Sequence, residues 1–154
     1  MAIVYKKFRD INLNDRFFDS LKEDYPPFAG WFEKKHNELA YVSYNQMGVI
    51  DGFLYLKIED EELSDMTPRF PRARRLKMGT FKVDAHGTKL GERFMSKTFL
   101  YAIENNLNEI YVTVFDKHQG LISLLTRPQF NFVERSRKNQ KTPNGYEGVY
   151  FRNL

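Results

Sequence analysis

The sequence predicts a single domain of the α+β (mixed α/β) class, and three observations support that expectation. The chain has 154 residues, a length at which one domain buries roughly 68–70% of its unfolded surface. It contains 14 Phe, 9 Tyr and 1 Trp, and each such ring can bury about 150–250 Å², which argues against disorder. Segments with the two-residue period of strands alternate with segments of helical spacing, and no repeat or long linker divides residues 1–154.

The N-terminal part is expected to contain one strand and two helices. Asn14 or Asp15 can cap the first helix, because a short polar side chain accepts a hydrogen bond from the first helical turn. Pro26 and Pro27 are expected to end that helix. The expected elements are a strand at residues 3–8, the capped helix with Phe17, Phe18 and Leu21 at helical spacing, and a short helix at residues 31–35.

The middle of the chain is expected to form strands joined by polar turns. Residues 40–44 and 49–58 have the pattern of an antiparallel pair with a turn between them. The acidic run at residues 59–65 and the proline segment at residues 68–71 are expected to form the next loop. Residues 76–83 then predict another strand.

The last part of the chain alternates helix and strand. An amphipathic helix of about four turns is predicted from the spacing of Leu90, Phe94, Met95, Phe99, Ala102 and Ile103. Glu109–Phe115 is rich in β-branched and aromatic residues, which favours a buried strand. Two further features complete the prediction. A helix follows this strand and ends at Pro128, and closing strands are expected at residues 130–134 and 148–151.

The composition excludes several classes of protein. The absence of cysteine excludes a disulfide scaffold, a thiolate zinc site, an iron–sulfur cluster and a cysteine nucleophile. No metal site is expected, because His36, His86 and His118 lie far apart in the sequence without a carboxylate cluster around them. No apolar stretch has the length of a signal peptide or the roughly 18 residues of a membrane span. We therefore expect a soluble, cytoplasmic protein without a membrane partner.

The net charge of +4 is small, so its distribution matters more than its sign. A basic stretch follows the acidic run and consists of Arg69, Arg72, Arg74, Arg75, Lys77 and Lys82. Such a stretch can hold a phosphate-bearing ligand or an acidic partner, or it can be a solvated loop that faces the acidic run. A second basic cluster is expected in a loop before the last strand, where it either contacts RNA or another macromolecule or stays solvated: Arg135, Arg137, Lys138 and Lys141.

Residues 81–92 combine the end of a strand, a short turn with glycine and the start of a helix. Such a turn directs backbone N–H groups and the positive end of the helix dipole to one place, where a phosphate or pyrophosphate can bind. The segment matches neither a P-loop nor the glycine motif of dinucleotide-binding folds. It predicts an anion site of another kind.

In this segment the chain resembles the GNAT superfamily of acyl-CoA-dependent N-acetyltransferases. The family signature, Arg/Gln-x-x-Gly-x-Gly/Ala directly after the fourth strand, binds the pyrophosphate of the cofactor. It corresponds here to His86, Gly87, Thr88, Lys89, Leu90 and Gly91. His86 stands where Arg or Gln is usual, and Lys89 replaces the first glycine. Both side chains can be cationic or donate hydrogen bonds, so the substitutions retain the chemistry of an anion site.

The order of the elements extends the resemblance to most of the chain. It implies a central mixed, mostly antiparallel sheet of six to seven strands flanked by about four helices, with a V-shaped opening between the fourth and fifth strands. The backbone of Phe81, Lys82 and Val83 would contact the pantetheine arm of acetyl-CoA, and Glu109–Phe115 would form the other wall.

The resemblance leaves the catalytic groups open. In the family a Tyr on the fourth helix protonates the departing thiolate, and Leu125 occupies that position here, while His118 occupies the position of a family Asn. The candidates for a catalytic acid or base are therefore His118 and Tyr111. Each has an alternative role, His118 as a helix-start residue and Tyr111 as a core aromatic with a satisfied hydroxyl.

Two functions are compatible with these observations. The leading hypothesis is direct transfer of an acetyl group from acetyl-CoA to an amine of a small molecule or a protein, without a metal and without an acyl-cysteine intermediate. The alternative is a GNAT-like binding module without catalysis, whose basic loops hold nucleic acid or a protein partner; nucleic acid is a possible partner but not a favoured one. The sequence leaves the acceptor and the oligomeric state open, and a dimer is compatible with it.

Overall fold

The computed structural model describes residues 2–84 and 89–154 and confirms the mixed α/β class. Two short 3-10 turns, Phe8–Asp10 and Arg16–Phe18, accompany the regular elements. The strands are β1 Ile3–Lys7, β2 Leu39–Tyr44, β3 Ile50–Leu63, β4 Met66–Thr67, β5 Phe70–Val83, β6 Glu109–Phe115, β7 Val133–Lys138 and β8 Glu147–Asn153. The helices are α1 Asp19–Asp24, α2 Phe28–Lys34, α3 Leu90–Glu104 and α4 Gln119–Leu125. Among the described residues no helix combines the length and apolar character needed to cross a membrane.

The strands form one mostly antiparallel sheet in the order β1-β2-β3-β5-β6-β8-β7-β4. The ladders β1–β2, β2–β3, β6–β8, β7–β8 and β4–β7 are antiparallel, and β5 pairs with β6 in parallel. Within the described residues the sheet has eight strands, one above the expected range, because the two residues of β4 pair with Arg137 and Lys138 of β7.

The expected loop across the acidic run and the proline segment is wrong. β3 continues through the acidic residues to Leu63, and β5 already begins at Phe70. Contacts between these neighbouring strands accompany the difference: Arg72 Nε lies 3.0 Å from Asp60 Oδ1, and Arg75 donates to the Glu61 carbonyl oxygen at 3.2 Å. Cross-strand pairs of opposite charge are favourable in sheets, whereas acidic residues are otherwise depleted there.

One of two compact units comprises the described parts of residues 1–55 and 80–94. Its core is aromatic, with the Phe8 ring 4.7 Å from that of Phe32 and the Phe18 ring 5.4 Å from that of Phe53. Asp15 is the predicted N-terminal cap, and its two carboxylate oxygens accept the N–H groups of Phe17 at 2.9 Å and Ile50 at 3.1 Å. The cap therefore starts the helical segment and also ties it to β3.

The other unit comprises residues 56–79 and 95–154. A cluster of buried residues packs on one face of its sheet and contains Leu63, Met66, Tyr111, Val149 and Phe151. The predicted strand at residues 130–134 is wrong, because β7 begins only at Val133. Phe130 and Phe132 precede β7 and pack on Phe99 of α3, with ring centroids 6.1 and 6.3 Å away.

Candidate functional site

β5 continues as a strand beyond the end of its parallel ladder with β6. In the described chain this ladder consists of the pairs Leu76–Ile110 and Lys77–Tyr111. The strand itself runs on to Val83, the predicted end, and Asp84 then donates its backbone N–H to the Asp51 carbonyl oxygen of β3 at 2.8 Å. The backbone of the candidate cofactor residues 81–83 thus stays extended past the last registered pair with β6.

Lys82 uses its ammonium group within its own unit. Nζ donates to the Phe17 carbonyl oxygen at 2.6 Å and to Ser20 Oγ at 2.7 Å, and lies 3.6 Å from Asp84 Oδ1. It also lies 4.4 Å from the centroid of the Phe17 ring. Because an ammonium group has three N–H donors, these contacts account for the charge of Lys82. The side chain of Lys82 is therefore engaged within the protein.

The start of α3 has the character expected of an anion site. Leu90 is buried and Gly91 half-buried, whereas Lys89 and Arg93 are exposed. Arg93 N–H donates to the Lys89 carbonyl oxygen at 3.0 Å, which closes the first helical turn. A helix of 15 residues places a partial positive charge at this end; exposed Lys89 adds a positive charge and Glu92 of the first turn a negative one. The candidates His86, Gly87 and Thr88 lie outside the described residues.

Gly52 of β3 determines how closely α3 approaches the sheet, and sequence analysis missed it. A Cβ atom at this position would lie 2.8 Å from Phe94 Cζ, closer still to Phe94 Cε2, and 2.8 Å from Ser43 Oγ. The Phe94 ring itself packs on Phe81 of β5, with centroids 5.8 Å apart. An isolated glycine within a strand pattern is the signal that predicts such a close approach.

Tyr111 of β6 is buried and its hydroxyl donates a hydrogen bond to Glu59 Oε1. Burial first, and then the hydrogen bond and the charge of Glu59, raise the pKa of Tyr111 well above its usual value. The phenol is therefore protonated at neutral pH. Sequence analysis missed Glu59, because it placed this residue in a loop, and the pairing of β3, β5 and β6 carries no local sequence signal.

His118 directly precedes α4, as predicted. Its backbone N–H donates to the Phe115 carbonyl oxygen at 3.0 Å, and its carbonyl oxygen accepts the Ile122 N–H at 3.1 Å. Leu125 ends α4 and is fully buried. A buried aliphatic side chain cannot supply a proton, so the position that the resemblance assigns to Tyr serves here as core.

Several basic residues of both clusters contact groups of the same unit. Arg75 Nε lies 2.5 Å from Glu109 Oε1, and Arg74 donates to the Asn105 carbonyl oxygen at 3.1 Å. In the second cluster Arg137 pairs with Asp116 and Glu134, and Lys138 pairs with Asp65. Arg135, Arg137 and Lys138 lie in β7 rather than in the predicted loop. These internal pairs do not favour a phosphate-binding surface.

Comparison with known proteins gives a clear result for structure and none for sequence. No protein-family model matches the chain, and no curated protein matches it. Similar solved structures cover nearly all of it. Naa20 from Chaetomium thermophilum in complex with a bisubstrate analogue has a TM-score of 0.68 at 14% identity, covering 100% of this chain and 87% of its own. The chain has the GNAT fold.

Two further structures with the GNAT fold match at similar levels. NAA60 from Arabidopsis thaliana in complex with a bisubstrate analogue has a TM-score of 0.66 at 16% identity, covering 99% of both chains. The NatC complex bound to Gag peptide and CoA has a TM-score of 0.61 at 14% identity, covering 100% of this chain and 99% of its own. The fold expected from the sequence is therefore confirmed.

Proposed function

We propose that residues 1–154 form a single acetyltransferase domain, which transfers the acetyl group of acetyl-CoA directly to an amine. The observation that carries the proposal is the extended end of β5, which runs past its ladder with β6 and precedes in sequence the N-terminus of α3 with its exposed Lys89. The GNAT fold supports it, since solved structures of similar proteins contain acetyl-CoA, or CoA together with a peptide.

The chain offers two kinds of contact to the acyl donor. The backbone of Phe81, Lys82 and Val83 would pair with the amide groups of the pantetheine arm, because an extended strand presents N–H and C=O groups along its edge. The segment from His86 to Gly91 would hold the pyrophosphate, with the dipole of α3 and the exposed cation of Lys89 as the attracting charges.

The absence of cysteine favours direct transfer. The amine nitrogen attacks the thioester carbonyl carbon, the C–N bond forms as the C–S bond breaks, and the amine proton finally reaches the CoA sulfur. Tyr111 and His118 are the proposed residues for moving that proton. Leu125 has no part in it, so the thiolate receives its proton from another group or from water.

Calorimetric titration of the protein with acetyl-CoA tests the binding step. We expect measurable affinity and an increase of the Tm with ligand concentration. The variant Lys89→Glu should bind about tenfold more weakly, because it places a negative charge where the pyrophosphate is expected. Lys34→Glu is the matched control, since Lys34 is also exposed but belongs to α2. Equal affinity of the two variants would contradict the proposed site.

Release of free CoA tests the transfer step. The protein is incubated with acetyl-CoA and a defined set of amines, namely glycinamide, spermidine and a short peptide with a free α-amino group. We expect at least one of them to accelerate the release of CoA thiol above the rate without amine, with an acetylated product found by mass spectrometry. Binding of acetyl-CoA without any acetylated product from this set would count against catalysis.

A further inference from the structure

Lys82 is the middle one of the three residues whose backbone is proposed to contact the acyl donor, and its charged side chain is mostly withdrawn from solvent. Only 22% of that side chain is exposed. Fixing a lysine side chain costs rotamer entropy, and taking its charge out of water adds to that cost. The contacts of the ammonium group must offset both costs, and they indicate what Lys82 does.

The ammonium group of Lys82 is enclosed by the N-terminal helical segment. Nζ donates to the Phe17 carbonyl oxygen at 2.6 Å and to Ser20 Oγ at 2.7 Å, across 65 and 62 positions of sequence. It also lies 4.4 Å from the centroid of the Phe17 ring and 3.6 Å from Asp84 Oδ1. The two bonds to Phe17 and Ser20, called the Lys82 clamp below, fasten the end of β5 to the 3-10 turn Arg16–Phe18 and to α1.

The residue before Lys82 anchors the opposite face of the same strand. Successive side chains of a strand point to opposite faces of the sheet, so Phe81 faces away from Lys82. The Phe81 ring packs on the ring of Phe94 in α3, with centroids 5.8 Å apart, and Phe94 is fully buried. Apolar packing therefore holds one face of the strand end, and the Lys82 clamp holds the other.

A third contact fixes the strand end along the plane of the sheet. Asp84 donates its backbone N–H to the Asp51 carbonyl oxygen of β3 at 2.8 Å. The residues of all three anchors belong to the unit of residues 1–55 and 80–94. The main chain of residues 81–83 is thus held on both faces and at one edge by contacts within a single unit.

We propose that Lys82 is a positioning residue for the acyl donor. Its ammonium group fixes the backbone of residues 81–83 in the extended conformation that pairs with the amide groups of the pantetheine arm. Ordering a binding segment in advance raises affinity, because less conformational entropy is lost on binding. The inference rests on the proposed function, in which this backbone contacts acetyl-CoA.

The Lys82 clamp also couples the donor to the N-terminal helical segment. Coupling between two equilibria is reciprocal, so a clamp that favours donor binding is itself favoured when the donor is bound. Bound acetyl-CoA is therefore expected to slow the local opening of residues 16–24, which comprise the 3-10 turn and α1. Amide hydrogen exchange measures that opening.

The decisive variant is Lys82→Met, which keeps an unbranched stem beside the Phe17 ring and removes the ammonium group. We expect about tenfold weaker binding of acetyl-CoA in calorimetric titration. Affinity for 3′-phosphoadenosine 5′-diphosphate should be unchanged, because this fragment has the pyrophosphate and lacks the pantetheine arm. Lys22→Met is the matched control, since Lys22 is also half-buried and belongs to α1, and it should bind both ligands as the wild type does.

Hydrogen exchange separates positioning from a purely structural role. In the wild type and in Lys22→Met, saturating acetyl-CoA should slow exchange in residues 16–24. In Lys82→Met saturated with acetyl-CoA, this additional protection should be lost. A lysine that only stabilised the fold would change exchange equally with and without the ligand.

Unchanged affinity of Lys82→Met for acetyl-CoA, or an equal loss for both ligands, would overturn the inference while leaving the proposed function intact. If the fragment binds the wild type too weakly to measure, hydrogen exchange decides. If Lys82→Met fails to fold, Ser20→Ala removes one acceptor of the clamp, keeps the charge and should bind acetyl-CoA about threefold more weakly with the same pattern. Absence of acetyl-CoA binding by the wild type would refute the proposed function, and this inference with it.

Discussion

Two single residues, Gly52 and Lys82, each determine one contact near the candidate site. Gly52 lets the Phe94 ring lie directly on β3, because it has no Cβ atom. Lys82 ties the end of β5 to the 3-10 turn before α1 through the Phe17 carbonyl oxygen. The first contact depends on missing volume and the second on a charge-assisted hydrogen bond. Both fix the position of a strand end that the proposed function uses.

Replacing Gly52 by Ala should destabilise the protein by about 1–3 kcal/mol, since the added methyl group overpacks the contact with Phe94 and Ser43. Gly30→Ala is the matched control, because Gly30 lies within α2 and a Cβ atom there meets nothing within 4 Å. That variant should gain about 0.5–1 kcal/mol from helix propensity. Denaturant unfolding of both variants measures the difference, and two changes of the same sign would contradict the packing argument.

At the scale of elements, the long strands β3 and β5 depend on Arg75. Its guanidinium is only 4% exposed, donates to the carbonyl oxygens of Glu61 at 3.2 Å and Pro71 at 2.9 Å, and pairs with Glu109 of β6. One side chain therefore connects three neighbouring strands. The sequence analysis treated this arginine as part of a solvated or phosphate-binding stretch, because nothing local to residues 69–82 indicates its partners 14 and 34 positions away.

Arg75→Met should cost about 3 kcal/mol of stability, because it leaves Glu109 without its nearest cation and removes the hydrogen bonds to the Glu61 and Pro71 carbonyl oxygens. Arg72→Met is the control on the same strand. The Arg72 side chain is 73% exposed where it pairs with Asp60, and exposed pairs contribute about 0–1 kcal/mol. The free energy of unfolding from denaturant titration distinguishes the two. Equal losses would mean that Arg75 acts as an ordinary surface residue.

At the scale of the whole molecule, the protein combines a common fold with a sequence that no family model describes. Identities of 14–16% to structures with TM-scores of 0.61–0.68 are consistent with a fold specified by hydrophobic pattern and element order rather than by particular residues. The elements at residues 3–8, 109–115 and 90–104 could be predicted because their periodicity is local. The candidate residues Phe81 to Val83 were assigned through the order of elements, and their place on β5 agrees with it.

Stability of the whole molecule should fall at alkaline pH because of two tyrosines. Burial first, and then Glu59 or Glu134, raise the pKa values of Tyr111 and Tyr150 above the ordinary value of 10.0. Above about pH 10 the unfolded chain releases these protons while the folded chain retains them, so the free energy of unfolding decreases as pH rises, by at most about 1.4 kcal/mol per pH unit for each tyrosine. The contribution is fully present below that pH.

Denaturant unfolding of the wild type and of Tyr150→Phe, each at neutral pH and at several values above pH 10, measures this effect. The variant should lose stability less steeply with rising pH, because phenylalanine has no proton to release. The neutral-pH measurement serves as the internal control for packing. Identical slopes for the two proteins would show that Tyr150 does not retain its proton in the folded state.

The sequence by itself determined the class, the order of helices and strands apart from β4, and the segment between β5 and α3, because each of these depends on spacing within a short stretch of chain. Only the tertiary structure decided the partners of Glu59, Arg75 and Lys82, which lie 52, 34 and 65 positions away. Strand pairing brings those groups together, and local periodicity carries no information about which strands become neighbours. For the same reason a glutamate that reads as part of a polar loop becomes a buried carboxylate hydrogen-bonded to a phenol.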